Sequence, residues 1–343
     1  MKRTKKLLMV GLSLVCAAGL FAGCGNSDSG SGGDKTYELG ILQFANHGSL
    51  DNCREGFLQG LKEEGIEEGK NLNVTYKNSG SDAATDNQIA TSFASKDMDM
   101  ICAIATPSAQ SAYNASKDKN IPVIYTAVTS PKLAGFVDDN DKNVGEITGT
   151  SDLVLADDQL KLITDMMPKV KNVGILYSTS EVNSKAGIEA YEKAASKYGV
   201  KIVTQGTSSA ADIPMATDSL LKKVDCITNL TDNTVVSNLP TILDKANKAK
   251  KPVFGSEIEQ VKIGCIGCVG IDFVKLGNQT GKMAAKVLKG EAKAQDMPFE
   301  TFDSGEIVIN TKVANDLGIE ISNGVKEQAS QTFDKIEQSK ENK

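Results

Sequence analysis

The sequence predicts an α/β protein built as two Rossmann-like lobes joined by hinge strands. Short apolar, β-branched runs alternate with longer stretches whose apolar residues recur at helical spacing. Ten such runs are more than one compact doubly wound domain holds in a chain of 343 residues. Polar seams also break the alternation at Gly149-Thr150-Ser151-Asp152 and at Gly270-Ile271-Asp272.

Taken in order, the strand candidates are 37–44, 72–77, 98–105, 122–128, 145–150, 172–177, 201–205, 226–230, 252–255 and 265–270. Within 50–64, Leu50, Cys53, Phe57, Leu58 and Leu61 share one helical face, and similar stretches fall at 84–95, 107–117, 156–167, 181–198, 211–223, 234–249 and 273–289. Strand and helix alternating this often implies parallel sheets covered by helices on both faces. Lobe 1 is assigned residues 36–150 and 272–296; lobe 2 is assigned 151–271 and 297–343.

The N-terminus reads as an export signal over residues 1–23. Lys2, Arg3, Lys5 and Lys6 precede an apolar run from Leu7 to Gly23, too short for a spanning helix. LFAGC at 20–24 resembles a bacterial lipobox, which would make Cys24 the lipidated first residue and anchor the chain to the membrane. A Gly/Ser-rich tether, 24–35, follows. Removing the four cationic residues takes the formal charge from −6 to −10.

Composition narrows the function. An acidic chain does not suit a nucleic-acid partner. With one His, a multi-His metal site is excluded, and no metal or other cofactor is expected. No glycine-rich phosphate loop follows the first strand, and neither a Gly-x-Ser-x-Gly elbow nor a His-Glu-x-x-His helix occurs. An enzyme is therefore not expected. Past the signal and Cys24, the cysteines are Cys53, Cys102, Cys226, Cys265 and Cys268. The close pair Cys265 and Cys268 has a structural reading, a disulfide or packing in a strand, and a redox reading.

Ligands of open parallel sheets sit at the carboxyl ends of strands. Four such loops carry polar groups: 43–49 with Gln43 and His47, 105–110 with Thr106 and Ser108, 125–129 with Thr126, and 231–234 with Asp232 and Asn233. Thr106 is placed to cap a helix that begins with Pro107, leaving the Ser108 and Ala109 amides to hold an anion. Opposite them, Asp232 would meet an ammonium, so the pair suits a zwitterion. Capping alone would also explain Thr106, Ser108 and Asp232.

The runs GILQF at 40–44, DNCREGFLQGL at 51–61, AIATPSAQ at 103–110 and TAVTSP at 126–131 resemble the ABC transporter substrate-binding family often labelled tryptophan/tyrosine-binding. TDNT at 231–234, PVF at 252–254, GID at 270–272 and GNQTGKMAA at 277–285 resemble it too, in the same order over about 37–320. The resemblance implies a type I periplasmic-binding-protein fold with three hinge crossings and a cleft-bound ligand. It further implies delivery of an amino acid, with aromatic ones foremost, to a permease powered by a separate ATPase, by a chain acting as a monomer. Carried over residue by residue, it places Thr106, Ser108, Thr126, Ser151, Asp152, Asp232 and Asn233 near the ligand, Gln43 and His47 at the rim, and Asp272 at the hinge or cleft floor. Aromatic stacking would then fall to Phe44, Tyr125 or Tyr177. The alternatives are a nucleoside or sugar binder of the same fold, which the near-absence of Arg disfavours for Arg-clamped ligands, and an exported thiol-redox protein.

Overall fold

The computed structural model describes residues 35–96, 98–302 and 305–337, with the folded unit beginning at Thr36. The export signal, Cys24 and residues 24–34 of the tether lie outside the described residues.

The first sheet is assembled from β1 (Tyr37–Gln43), β2 (Leu72–Asn78), β3 (Met100–Ile104), β4 (Val123–Thr126) and β5 (Ile147–Asp152). Between them run α1 (Gly48–Glu63), α2 (Ala83–Ala94), α3 (Thr106–Ser116) and the short α4 (Pro131–Ala134). The strands are all parallel, with β4 and β3 at the centre. Both faces of the inner strands are covered, so β3 and β4 are buried at every residue and read as unbroken apolar runs. Alternate side chains face opposite cores: Leu39, Ile41, Cys102 and Ile104 meet Leu50, Cys53, Phe57 and Leu61 of α1. Leu42, Ile101, Ala103 and Tyr125 meet Ala90, Phe93, Ala109 and Ala112 of α2 and α3.

The chain then crosses to a second parallel sheet, ordered β7-β6-β8-β9. Its elements are α5 (Ala156–Met166), β6 (Asn172–Ser178), α6 (Val182–Ala195), β7 (Lys201–Thr207), α7 (Ile213–Leu221), β8 (Cys226–Thr228), α8 (Asn233–Ser237), α9 (Leu239–Lys248) and β9 (Val253–Phe254). The single helix expected over 234–249 is two, because Pro240 lacks an N–H and opens α9 two residues after α8 ends. After α10 (Ile258–Lys262), β10 (Gly267–Gly270) is tied to β9 by Gly255 N to Gly267 O at 3.0 Å.

From β10 the chain returns to the first lobe as α11 (Phe273–Leu288), capped by Asp272, whose Oδ1 accepts from Val274 N at 2.9 Å and Lys275 N at 3.1 Å. This helix lies against α1 with backbones in contact. A Cβ at Gly56 would stand 2.0 Å from Val274 O, at Gly60 2.2 Å from Asn278 O, at Gly277 2.1 Å from Cys53 O, and at Gly281 2.2 Å from Phe57 O. Two glycines four apart on each helix thus make a seam that no side chain can enter.

Three strands were not anticipated: β11 (Glu300–Phe302), β12 (Glu306–Asn310) and β13 (Ala329–Phe333), the last two separated by α12 (Thr311–Leu317) and α13 (Asn323–Gln328). β11 pairs with β5 at Thr150, Ser151 and Asp152, so the first sheet continues past residue 297, where the sequence assigns the return to lobe 2. β12 pairs antiparallel with β10 and parallel with β13. Among the described residues no helix is long and apolar enough to cross a membrane.

Candidate functional site

The carboxyl ends of both parallel sheets face a narrow space lined by residues of both lobes. The first lobe supplies His47 before α1, Thr106 at the start of α3, Ala127 after β4 and Asp152 at the end of β5. The second supplies Asn183 on α6, Thr231 and Asn233 at α8, and Glu257 before α10; Phe273 enters from the first turn of α11. Direct hydrogen bonds close the space on several sides. Thr129 Oγ1 and Thr231 Oγ1 are 3.1 Å apart, Asn52 Nδ2 donates to Glu259 Oε1 at 3.1 Å, Ser49 Oγ donates to Glu257, and His47 Nε2 lies 3.5 Å from Asn233 Oδ1.

The polar lining is not self-satisfied. His47 Nδ1, Thr106 Oγ1, Asp152 Oδ1 and Asn183 Oδ1 are buried without a hydrogen-bond partner, and all four belong to residues around this one space. Buried polar groups are ordinarily paired, because each unmet one costs about 1–3 kcal/mol. Asn183 shows how the orientation is set: its Nδ2 donates to Glu181 Oε2 at 3.1 Å and Thr231 O at 3.0 Å, which leaves the amide oxygen as a free acceptor. Burial, reinforced by the nearby Glu257 charge, pushes the Asp152 carboxyl up to about 7. The backbone is strained at the same place: Ala105 and Ala127, at the ends of β3 and β4, hold φ of 82° and 56°. For a residue with a Cβ that conformation costs of order 1–3 kcal/mol and clusters at functional sites.

Several expected site residues have other tasks. Asp232 caps α8: its Oδ1 accepts from Val235 N at 2.9 Å, and its Oδ2 accepts from Ser178 N and Ser184 Oγ, both at 2.6 Å. Its carboxylate is thus engaged within the second lobe and does not line the space, and burial together with the Glu181 charge raises its pKa. Glu181 itself accepts from Asn233 N at 3.0 Å, Asn233 Nδ2 at 2.7 Å and Thr234 N at 2.9 Å, which fixes the rim of the second lobe. The Ser108 hydroxyl is turned away to Asp86 Oδ1 at 2.7 Å, and the Ala109 amide is bonded to Ala105 O at 3.0 Å. Thr106 is the first helical residue after the cap position, Ala105, and its hydroxyl bonds nothing in the protein.

Gln43 is satisfied by Ala45 O at 2.8 Å, Asp51 Oδ1 at 3.0 Å and Arg54 Nη1 at 2.9 Å, so it braces the loop before α1. Thr126 Oγ1 accepts from Thr150 Oγ1 at 3.3 Å, Ser151 Oγ donates to Thr129 O at 3.2 Å, and Asp272 caps α11. The structure therefore brings His47, Thr106, Asp152 and Asn233 to the space and sets Gln43, Ser108, Thr126, Ser151, Asp232 and Asp272 behind or beside it.

A second, larger space continues toward the hinge and shares Asp152, Thr231 and Phe273 with the first. Its walls are chiefly apolar, with Leu155, Leu230, Val269, Ile271, Phe273 and Tyr191, and Asn229 is among its polar residues. Small-molecule sites combine such apolar volume with a few placed polar groups. Sequence reasoning missed Asn183, Asn229, Glu257 and Phe273. Phe273 stands directly after Asp272, at the head of a predicted helix, and that position was the available signal. Of the aromatic residues expected at the cleft, Tyr125 is instead fully buried and stacked on Phe136 at 5.3 Å, and Phe44 belongs to the core beneath α1.

Cys53, Cys102, Cys226, Cys265 and Cys268 are all free and buried, and burial raises the pKa of each thiol. Cys265 and Cys268 are thus unjoined packing residues with little thiolate character. In native protein these five thiols are expected to resist a reagent such as DTNB at pH 8, and to react in denaturant. Rapid labelling of Cys265 or Cys268 in the native state would contradict this. No group of residues suited to holding a metal ion occurs among the described residues.

A family model described as ABC transporter substrate binding protein matches residues 38–333. A tyrosine-binding protein of Clostridioides difficile (strain R20291) is 38% identical over 318 residues, covering 90% of this chain and 91% of that one. Among solved structures, an ABC domain in complex with L-Trp from Streptococcus pneumonia matches with a TM-score of 0.84 at 37% identity, over 87% of this chain and 100% of that chain. The ligand-free, open structure of a substrate-binding protein with adhesive properties from Clostridium difficile matches with a TM-score of 0.65 at 39% identity, over 88% and 100%.

Proposed function

The chain belongs to the ABC transporter substrate-binding protein family, and on that premise we propose that it captures an aromatic amino acid between its lobes and delivers it to an ABC importer. The observation that carries this reading is the pairing of the two spaces: unpartnered polar groups of both lobes surround the smaller one, and the larger one beside it is mostly apolar. A zwitterionic head suits the first. Asp152 Oδ1, Asn183 Oδ1 and the Glu257 carboxylate are acceptors for an ammonium, and the Thr106 hydroxyl at the N-terminal turn of α3 is a donor for a carboxylate. The side chain then lies toward the hinge, against Phe273 and Leu230.

Relatives support the same reading. At nearly equal identity, the L-Trp complex is the better structural match than the ligand-free open protein, as a closed cleft predicts. In this reading the lobes close about the chain crossings at 153–155, at 271–272 and where the chain leaves β11. Lipidation at Cys24 would hold the chain on the outer face of the membrane, near a permease with its separate ATPase. In this reading the protein acts as a monomeric receptor that captures and releases its ligand unchanged.

Isothermal titration of the protein with the twenty standard amino acids tests the proposal. Saturable binding of tyrosine or tryptophan with a negative heat-capacity change is expected, since apolar surface is buried. Absence of heat with every aromatic amino acid would overturn the ligand class.

A further inference from the structure

Given an aromatic amino acid in the cleft, as proposed above, we infer that Asn229 selects among aromatic side chains. It favours a ring that carries a hydrogen-bond donor, a phenol O–H or an indole N–H, over an unsubstituted phenyl. Asn229 follows β8, is 1% exposed and lines the hinge-side space. Its orientation is dictated from the backbone outward. The Ser256 N–H donates to Gln260 Oε1 at 3.3 Å, so that atom must be the amide oxygen. Gln260 Oε1 can then only accept, and it does so from Asn229 Nδ2 at 2.9 Å, while Gln260 Nε2 donates to Ser256 Oγ at 3.0 Å. Turning the Asn229 amide over would set two acceptor oxygens against each other. Asn229 Oδ1 is therefore held as an acceptor, and it has no partner in the protein.

The neighbouring polar groups are already engaged. Gln159 donates to Gly255 O at 2.9 Å and accepts from Val269 N at 2.6 Å, the Tyr191 hydroxyl is 3.3 Å from Thr228 Oγ1, and Thr231 is bonded to Thr129. Asp152 Oδ1 lies at the junction with the polar space, where the ammonium is placed. Asn229 Oδ1 is thus the buried side-chain acceptor left unpartnered on the apolar side among the described residues. A phenyl ring would bury it unmet, whereas a phenol or indole would satisfy it. Sites built around such an atom discriminate against the analogue that lacks the donor far more strongly than apolar contact alone does.

The test is calorimetric titration of wild type and Asn229→Leu with L-tyrosine, L-tryptophan and L-phenylalanine. In wild type, the tighter of tyrosine and tryptophan is expected to bind at least about thirtyfold better than phenylalanine. In Asn229→Leu that ratio should fall to within about threefold, mainly by loss of the donor-bearing ligand. O-methyl-tyrosine and 1-methyl-tryptophan, probed on wild type alone, keep the rings but remove the donor. They should bind as weakly as phenylalanine or more so, which keeps the inference testable should the variant fold poorly. Equal wild-type affinities for all three natural ligands, or a ratio unchanged by the substitution, would overturn the role of Asn229 while leaving an aromatic amino acid receptor intact. No binding of any aromatic ligand would instead overturn the receptor reading itself.

Discussion

Asp152→Asn is expected to weaken amino acid binding about a hundredfold, because an ammonium loses a charge-assisted partner worth roughly 3 kcal/mol in a dry site. The same substitution should remove a pH dependence. In the ligand-free protein, burial and the Glu257 charge hold the Asp152 carboxyl near 7, against an ordinary value of 3.8. A carboxyl raised in the folded state stabilises the fold below about pH 4 relative to higher pH, and that contribution is lost as pH rises through about 7. Ligand-free wild type should therefore lose melting temperature between pH 5 and 8 relative to Asp152→Asn, the difference cancelling the parallel contribution of Asp232. Binding runs the other way. An ammonium prefers the ionised carboxylate, so wild-type affinity should rise with pH up to about 7 and then level, with a proton released on binding. Titrations in buffers of different ionisation enthalpy measure that proton directly. Affinity and pH profile unchanged in Asp152→Asn would move the ammonium contact to Glu257.

Gly277→Ala should cost about 2–3 kcal/mol despite alanine's better helix propensity. The new methyl would lie 2.1 Å from Cys53 O on the facing backbone, so α1 and α11 must separate along their whole contact. A drop in melting temperature of several degrees is expected, and more for Gly60→Val, whose Cβ would lie 2.2 Å from Asn278 O. Alanine raising the melting temperature would show that the helices have slack between them.

Much of the architecture was legible because its signals are local. The ten expected strands are all present, and the inner ones, β3 and β4, read as continuously apolar because both their faces are covered. β11 and β13 were illegible for a matching reason: they are short or polar edge segments, with largely exposed residues, whose order comes from pairing with β5 and β12. β12, with Ile307, Val308 and Ile309 in a row, carried a readable signal that the sequence reading passed over.

At the site, strand ends pointed correctly to loops but not to individual atoms. Thr106 and Asp232 look alike in sequence, each a polar residue at the start of a helix. One has an unbonded hydroxyl and the other a fully bonded carboxylate, and only the three-dimensional surroundings separate them. Asn183 and Asn229 were invisible because an asparagine becomes a directed acceptor only when groups distant in sequence, here Thr231 O and Gln260, occupy its nitrogen.

The placement of α11 and β11 bears on how the chain assembles. The first sheet's last strand and the helix that covers α1 both come late in the sequence, after β6 to β9. A growing chain must therefore finish the parallel strands of the second lobe before the first can bury Leu50, Phe57 and Leu61 beneath α11. Until then, the N-terminal half is an open sheet with an unprotected β5 edge and a bare helix face, a state that favours late, long-range closure over early local folding. The lobe begun first is closed only by segments made after the parallel strands of the second.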